Sequence, residues 1–118
     1  MADGALFIGW GAVARGREKE AVELFNEILE YYGRLQEGDE IESFEPVFLE
    51  PHGGDLIGFV LIRGEPEKLA AIRVSDEFTR YSIRAGLVVD SFGVVGADLA
   101  GRLQEQMAIY VEQIGAIA

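Results

Sequence analysis

Residues 56–62, Leu-Ile-Gly-Phe-Val-Leu-Ile, form a run without one polar side chain. A strand covered on one face alternates apolar and polar residues. This run does not alternate. Leu56, Val60 and Ile62 fall on one face, and Ile57, Phe59 and Leu61 on the other. The run at 5–14 is as apolar and that at 87–95 nearly so, and they too read as strands that need cover on both sides. Any fold for this chain must supply two layers of cover for one sheet.

The helical segments supply one layer. Residues 17–35 place Ala21, Leu24, Phe25, Ile28, Leu29, Tyr32 and Leu35 at helical spacing, with glutamates opposite. Residues 65–86 read as a second helix with Pro66 in its first turn. Ser75, followed by Asp76 and Glu77, reads as a fresh N-cap, which predicts a break near Val74. Residues 97–115 form a closing amphipathic helix with Leu99, Leu103, Met107, Tyr110 and Ile114 on one stripe. Between them, 40–50 is an alternating strand. Pro46 interrupts it and points to an edge or a bulge. Residues 51–55, Pro-His-Gly-Gly-Asp, form a hairpin loop. The order is β-α-β-β-α-β, then α. It predicts one domain over residues 1–118: an α+β, ferredoxin-like, four-stranded antiparallel sheet of spatial order 4-1-3-2, with helices on one face. The cover for the other face is a second copy of the chain, giving a homodimer with its sheets facing each other. Phe59 and Leu61 alone would cost roughly 1.5–3 kcal/mol each if left wet.

In element order, and in its apolar strands across residues 5–115, the sequence resembles the dimeric α+β barrel superfamily. That superfamily includes cofactor-free monooxygenases, haem-degrading enzymes and stress-responsive barrel proteins. The resemblance implies a pocket between sheet and helices within each subunit. It also implies a small-molecule-binding function, with a cofactor-independent oxygenase or isomerase acting on an apolar metabolite as the enzymatic form. The family's monooxygenases use an Asn, a Trp and a His or Arg. Trp10 and Asn26 are present here, but the sole histidine falls in the 51–55 loop. The alternative is a non-catalytic dimeric binding or assembly module whose final helix docks on a partner.

Charge and composition exclude several classes. The formal net charge is −11. Nucleic-acid affinity comes mainly from lysine and arginine displacing counterions, so neither nucleic acid nor an anionic membrane is an expected partner. The absence of cysteine removes disulfides and thiolate chemistry. With one histidine and no calcium-type loop, no metal or other cofactor is expected. No run reaches the ~18–20 apolar residues of a membrane span, and the first residues lack a signal-peptide pattern. The expected location is the cytoplasm.

His52 and Asp90 are the candidate catalytic residues. His52 is the natural acid or base near neutral pH, set against a plain solvated role in a Pro-His-Gly-Gly turn. Asp90 interrupts an apolar run. Buried, it would hold a proton or need a partner. On an edge strand it would guard against pairing. Trp10, Tyr32, Tyr81 and Phe92 are the candidate ligand-binding aromatics, with Arg84 to orient the ligand or to pair with Asp90. The alternative for the aromatics is ordinary core. Gly9 and Gly11 flank Trp10 and are read as leaving room beside the indole.

Overall fold

A computed structural model describes residues 3–118. Eight elements follow one another: β1 (Gly4–Trp10), α1 (Glu18–Glu37), β2 (Ser43–Phe48), β3 (Gly58–Gly64), α2 (Pro66–Arg73), α3 (Asp76–Val88), β4 (Gly93–Asp98) and α4 (Ala100–Ile117). The strands make one antiparallel sheet in the order β2-β3-β1-β4, which is the expected order read from its other edge. Pro46 lies on the edge strand β2, where a missing N–H costs no ladder bond on the open side.

Local chemistry sets the helix boundaries. Glu18 and Glu20 occupy the first turn of α1, where carboxylates complement the helix dipole. Beyond its end, Asp39 takes a left-handed φ of 58°, which turns the chain toward β2. The break in the 65–86 segment falls at Val74–Ser75. The Ser75 hydroxyl accepts a bond from the Phe78 N–H at 3.3 Å and starts α3.

The inner face of the sheet carries Leu6, Ile8, Val60 and Ile62. These pack against Tyr31, Tyr32 and Leu35 of α1, Leu69 and Ile72 of α2, and Phe78 of α3. Ile62 is completely enclosed. The outer face is largely apolar as well, with Glu45 and Arg63 flanking Leu61 on it. Phe7 pairs across the ladder with Leu61 on one side and Val95 on the other, and stacks on Phe59 with ring centroids 4.9 Å apart.

Two sequence expectations are corrected. Residues 87–95 are not one strand. Leu87 and Val88 form the last turn of α3, Ser91 turns the chain through a left-handed φ of 55°, and β4 begins at Gly93. The helical period won over the apolar run, because Phe78, Ala85 and Val88 continue one buried face of α3. Nor does α4 help to cover the sheet. None of its residues is buried. The chain's radius of gyration is accordingly 16.4 Å, against roughly 13–14 Å for a compact chain of this length.

Candidate functional site

Helices α1 and α3 lie side by side over the sheet, and between them and the sheet is a cavity of about 350 Å³. That volume is in the range of small-molecule sites. Small side chains open it: Ala21 on α1, and Ser82 and Ala85 on α3, stand where larger residues would close the gap. Larger residues form the walls, among them Ile8 and Val60 from the sheet and Ile28 and Val88 from the helices. Val13, Val22 and Phe48 line it while well exposed, so they mark its open side. At that side Trp10, Phe25 and Phe48 form a three-ring cluster with centroids 5.4–5.9 Å apart.

Among the described residues, no charged side chain lines the cavity. The lining residues that carry a polar group are Trp10, Tyr32, Tyr81 and Ser82. Burial pushes the Tyr32 phenol well above the usual tyrosine range, and the neighbouring Tyr31 adds to the shift. Tyr32 is therefore a neutral hydrogen-bond donor at any physiological pH. The nearby Tyr81 hydroxyl helps to hold the Arg34 guanidinium above its ordinary range.

The structure brings Trp10, Tyr32, Tyr81 and Phe92 together around this one cavity. It does not bring Arg84, Asp90 or His52 there. Arg84 points outward and forks onto Glu27 of α1, at 2.8 and 3.3 Å. A hydrogen bond from that guanidinium, with its charge, holds the Glu27 carboxyl below its ordinary range. Together with Arg34–Glu77 at 2.7 Å, the pair links the solvent faces of α1 and α3. The expected Arg84–Asp90 pair is thus replaced by Arg84–Glu27. Asp90 is exposed, as one of its two readings required, but in a turn and not on an edge strand. Its backbone carries its role: its carbonyl accepts from the Gly11 N–H at 2.7 Å, and its N–H donates to the Ala12 carbonyl at 2.8 Å.

His52 braces its own loop. Its Nδ1 accepts from the Gly54 N–H at 3.2 Å, so its Nε2–H donates to the Leu56 carbonyl at 2.8 Å. His52→Ala is expected to cost stability by no more than about 1 kcal/mol and to leave small-molecule binding unchanged. Thermal unfolding and a binding titration check this. A variant that folds normally and loses binding would restore His52 to the site.

The glycines beside Trp10 also differ from expectation. A Cβ at Gly11 would lie 2.9 Å from the Asp90 carbonyl oxygen, so that glycine serves close backbone approach. The glycine that makes room for the indole is Gly58, whose added Cβ would lie 2.7 Å from the Trp10 ring. Phe25 and Phe48 were not singled out from sequence. The signal for Phe25 was its place with Ala21 and Ile28 on one helical stripe. Phe48 had none, because its contact with Trp10 depends on the β2–β3 register.

No known family profile and no curated protein matches the sequence. Solved structures do. A conserved protein from Methanosarcina mazei superposes with a TM-score of 0.63 at 10% identity, over 84% of this chain and 95% of that one. A dimeric protein of unknown function and ferredoxin-like fold from Bacteroides fragilis superposes with a TM-score of 0.58 at 11% identity, over 81% and 96%. The chain has the ferredoxin-like fold. SnoaB, a cofactor-independent oxygenase from Streptomyces nogalater, is a third similar structure, with a TM-score of 0.54 at 14% identity over 84% and 95%. Among the described residues, no helix is long and apolar enough to cross a membrane, and no three His, Asp or Glu side chains are grouped to hold a metal ion.

Proposed function

We propose that this ferredoxin-like protein is a homodimeric binder of an uncharged, apolar, ring-containing small molecule held between α1, α3 and the sheet. The observation that carries the reading is the cavity itself. It is walled by aromatic and aliphatic side chains, has no charged group among the described residues, and includes the neutral phenol Tyr32 in its lining. A charged ligand would lose its hydration there without gaining a counter-charge. A ring with one acceptor atom would stack among Trp10, Phe25 and Phe48 and accept from Tyr32. The dimer reading rests on the apolar outer sheet face and on the dimeric state described for the Bacteroides fragilis protein.

Catalysis as a cofactor-independent oxygenase is the second reading, favoured by the likeness to SnoaB. The cavity lining offers phenol and hydroxyl groups but no carboxylate or imidazole. Proton movement in such a reaction would fall to Tyr32, to Tyr81 or to the ligand's own acidity.

Trp10 is the sole tryptophan, so its emission reports on the cavity directly. Uncharged N-phenylnaphthylamine is expected to quench it saturably with 1:1 stoichiometry per chain. Ala21→Phe places a ring in the empty space and is expected to abolish that response without unfolding the protein. A wild-type signal insensitive to the probe, or an Ala21→Phe variant that binds normally, would overturn the pocket reading.

A further inference from the structure

Helix α4 leaves the edge strand β4 after a single residue and is tied to the sheet only at its start, where the Leu99 N–H donates to the Asp3 carbonyl at 3.0 Å. Beyond that point it runs about 27 Å with no buried residue. Yet one side of it is apolar. Leu103, Met107, Tyr110, Ile114 and Ile117 succeed one another at spacings of four, three, four and three. That is the a/d seam of a coiled coil, the pattern by which one helix packs on another. Met107 is 52% exposed, Tyr110 62% and Ile114 50%. Among the described residues no other helix shows an uncovered seam of this kind.

We propose that α4 is a homotypic pairing helix, its seam packed against α4 of a second copy of this chain. The charge pattern selects that partner. Positions flanking a seam decide who pairs with whom. Here they are Gln104, Gln106, Val111 and Gln113, all uncharged, in a chain of net charge −11. The two glutamates of the helix, Glu105 and Glu112, fall on the side farthest from the seam. Arg102 is occupied by Asp98 and Glu105. Two copies therefore meet along α4 without like charges in contact.

Area supports a second copy. The chain exposes 7793 Å², against roughly 6,300 Å² for a compact monomer of this mass. The excess of about 1,500 Å² exceeds the ~800 Å² per partner of a standard interface. It leaves room for two contacts, the outer sheet face and the α4 seam. Two heptads are too short to hold copies together unaided, since sustained coiled coils need about three to four. The pairing thus rests on the homodimer reading above: the sheet contact brings two α4 helices to high effective concentration.

The chain has no cysteine, so one introduced thiol reports without background. Tyr110 stands at the middle of the seam, next to the two-fold axis of either a parallel or an antiparallel pair. Tyr110→Cys is expected to form a covalent dimer on mild oxidation, while Glu112→Cys, on the far side, stays monomeric on a non-reducing gel. Adding Ile114→Glu to Tyr110→Cys is expected to lower the yield about tenfold, the effect of roughly 1.4 kcal/mol. Light scattering on the same samples separates the two readings. No cross-link in a protein that is still dimeric overturns α4 pairing and leaves the sheet dimer standing. Equal cross-linking at positions 110 and 112 also overturns it. A monomeric wild-type protein overturns the sheet dimer and, with it, the pairing that depends on it.

Discussion

Phe59→Asp and Leu61→Asp are each expected to convert the proposed homodimer into a monomer or an aggregate. Both side chains point away from the helices, into the layer shared with Phe7 and Val95. Burial of one such side chain is worth about 1.5–3 kcal/mol. A two-fold interface counts each substitution twice. The lost burial alone comes to about 3 kcal/mol or more, which weakens association by two orders of magnitude or so. The introduced carboxylates add a desolvation cost, and at position 61 the new carboxylate also faces Glu45 across the ladder. The inner core does not touch these positions, so helical circular dichroism should be retained in the monomeric fraction. Light scattering at micromolar concentration is the check. If both variants remain dimers like the wild type, the sheets do not face each other.

The two apolar faces of β3 could be read from the sequence. Alternation failed in residues 56–62, and the structure sends Val60 and Ile62 inward and Phe59 and Leu61 outward, as the period of two requires. The helix break was legible for a similar reason: one residue type, Ser75, carries the cap. Where two periods competed, the sequence was ambiguous. Val88 and Val89 suit a strand and the last turn of a buried helix equally well. The deciding fact was nonlocal. Val88 completes a cluster with Leu24 and Ala85, which forms only when α3 lies on α1.

The cavity was half legible. Trp10, Tyr32, Tyr81 and Phe92 were candidates because aromatics at strand and helix spacing point one way. The charged candidates lie outside the cavity, and two of them are held by other partners. Arg84 found Glu27, 57 residues away, and His52 found two groups of its own loop. A polar side chain takes the nearest partner that folding presents, and spacing along the chain does not reveal which that is. The result is a cavity whose chemistry is set by its walls and by Tyr32.

Gly58→Val is expected to damage both the fold and the cavity. Gly58 stands opposite Trp10 on one side and Phe48 on the other. A Cβ there would lie 2.7 Å from the indole and 2.7 Å from the Val47 carbonyl oxygen. The carbonyl cannot retreat without loosening the edge of the β2–β3 ladder, so the indole must move. Its contacts with Phe25 and Phe48 are then lost, and the open side of the cavity is reshaped. Overpacking of this kind costs about 1–3 kcal/mol. The expected result is a lower urea midpoint, a shifted Trp10 emission maximum and loss of the N-phenylnaphthylamine response. Gly96→Ala is the control, because nothing lies within 4 Å of the added carbon; it should leave the midpoint and the probe response intact. A Gly58→Val protein with the wild-type midpoint and response would mean that β3 does not hold the indole, and Trp10 would lose its place in the cavity wall.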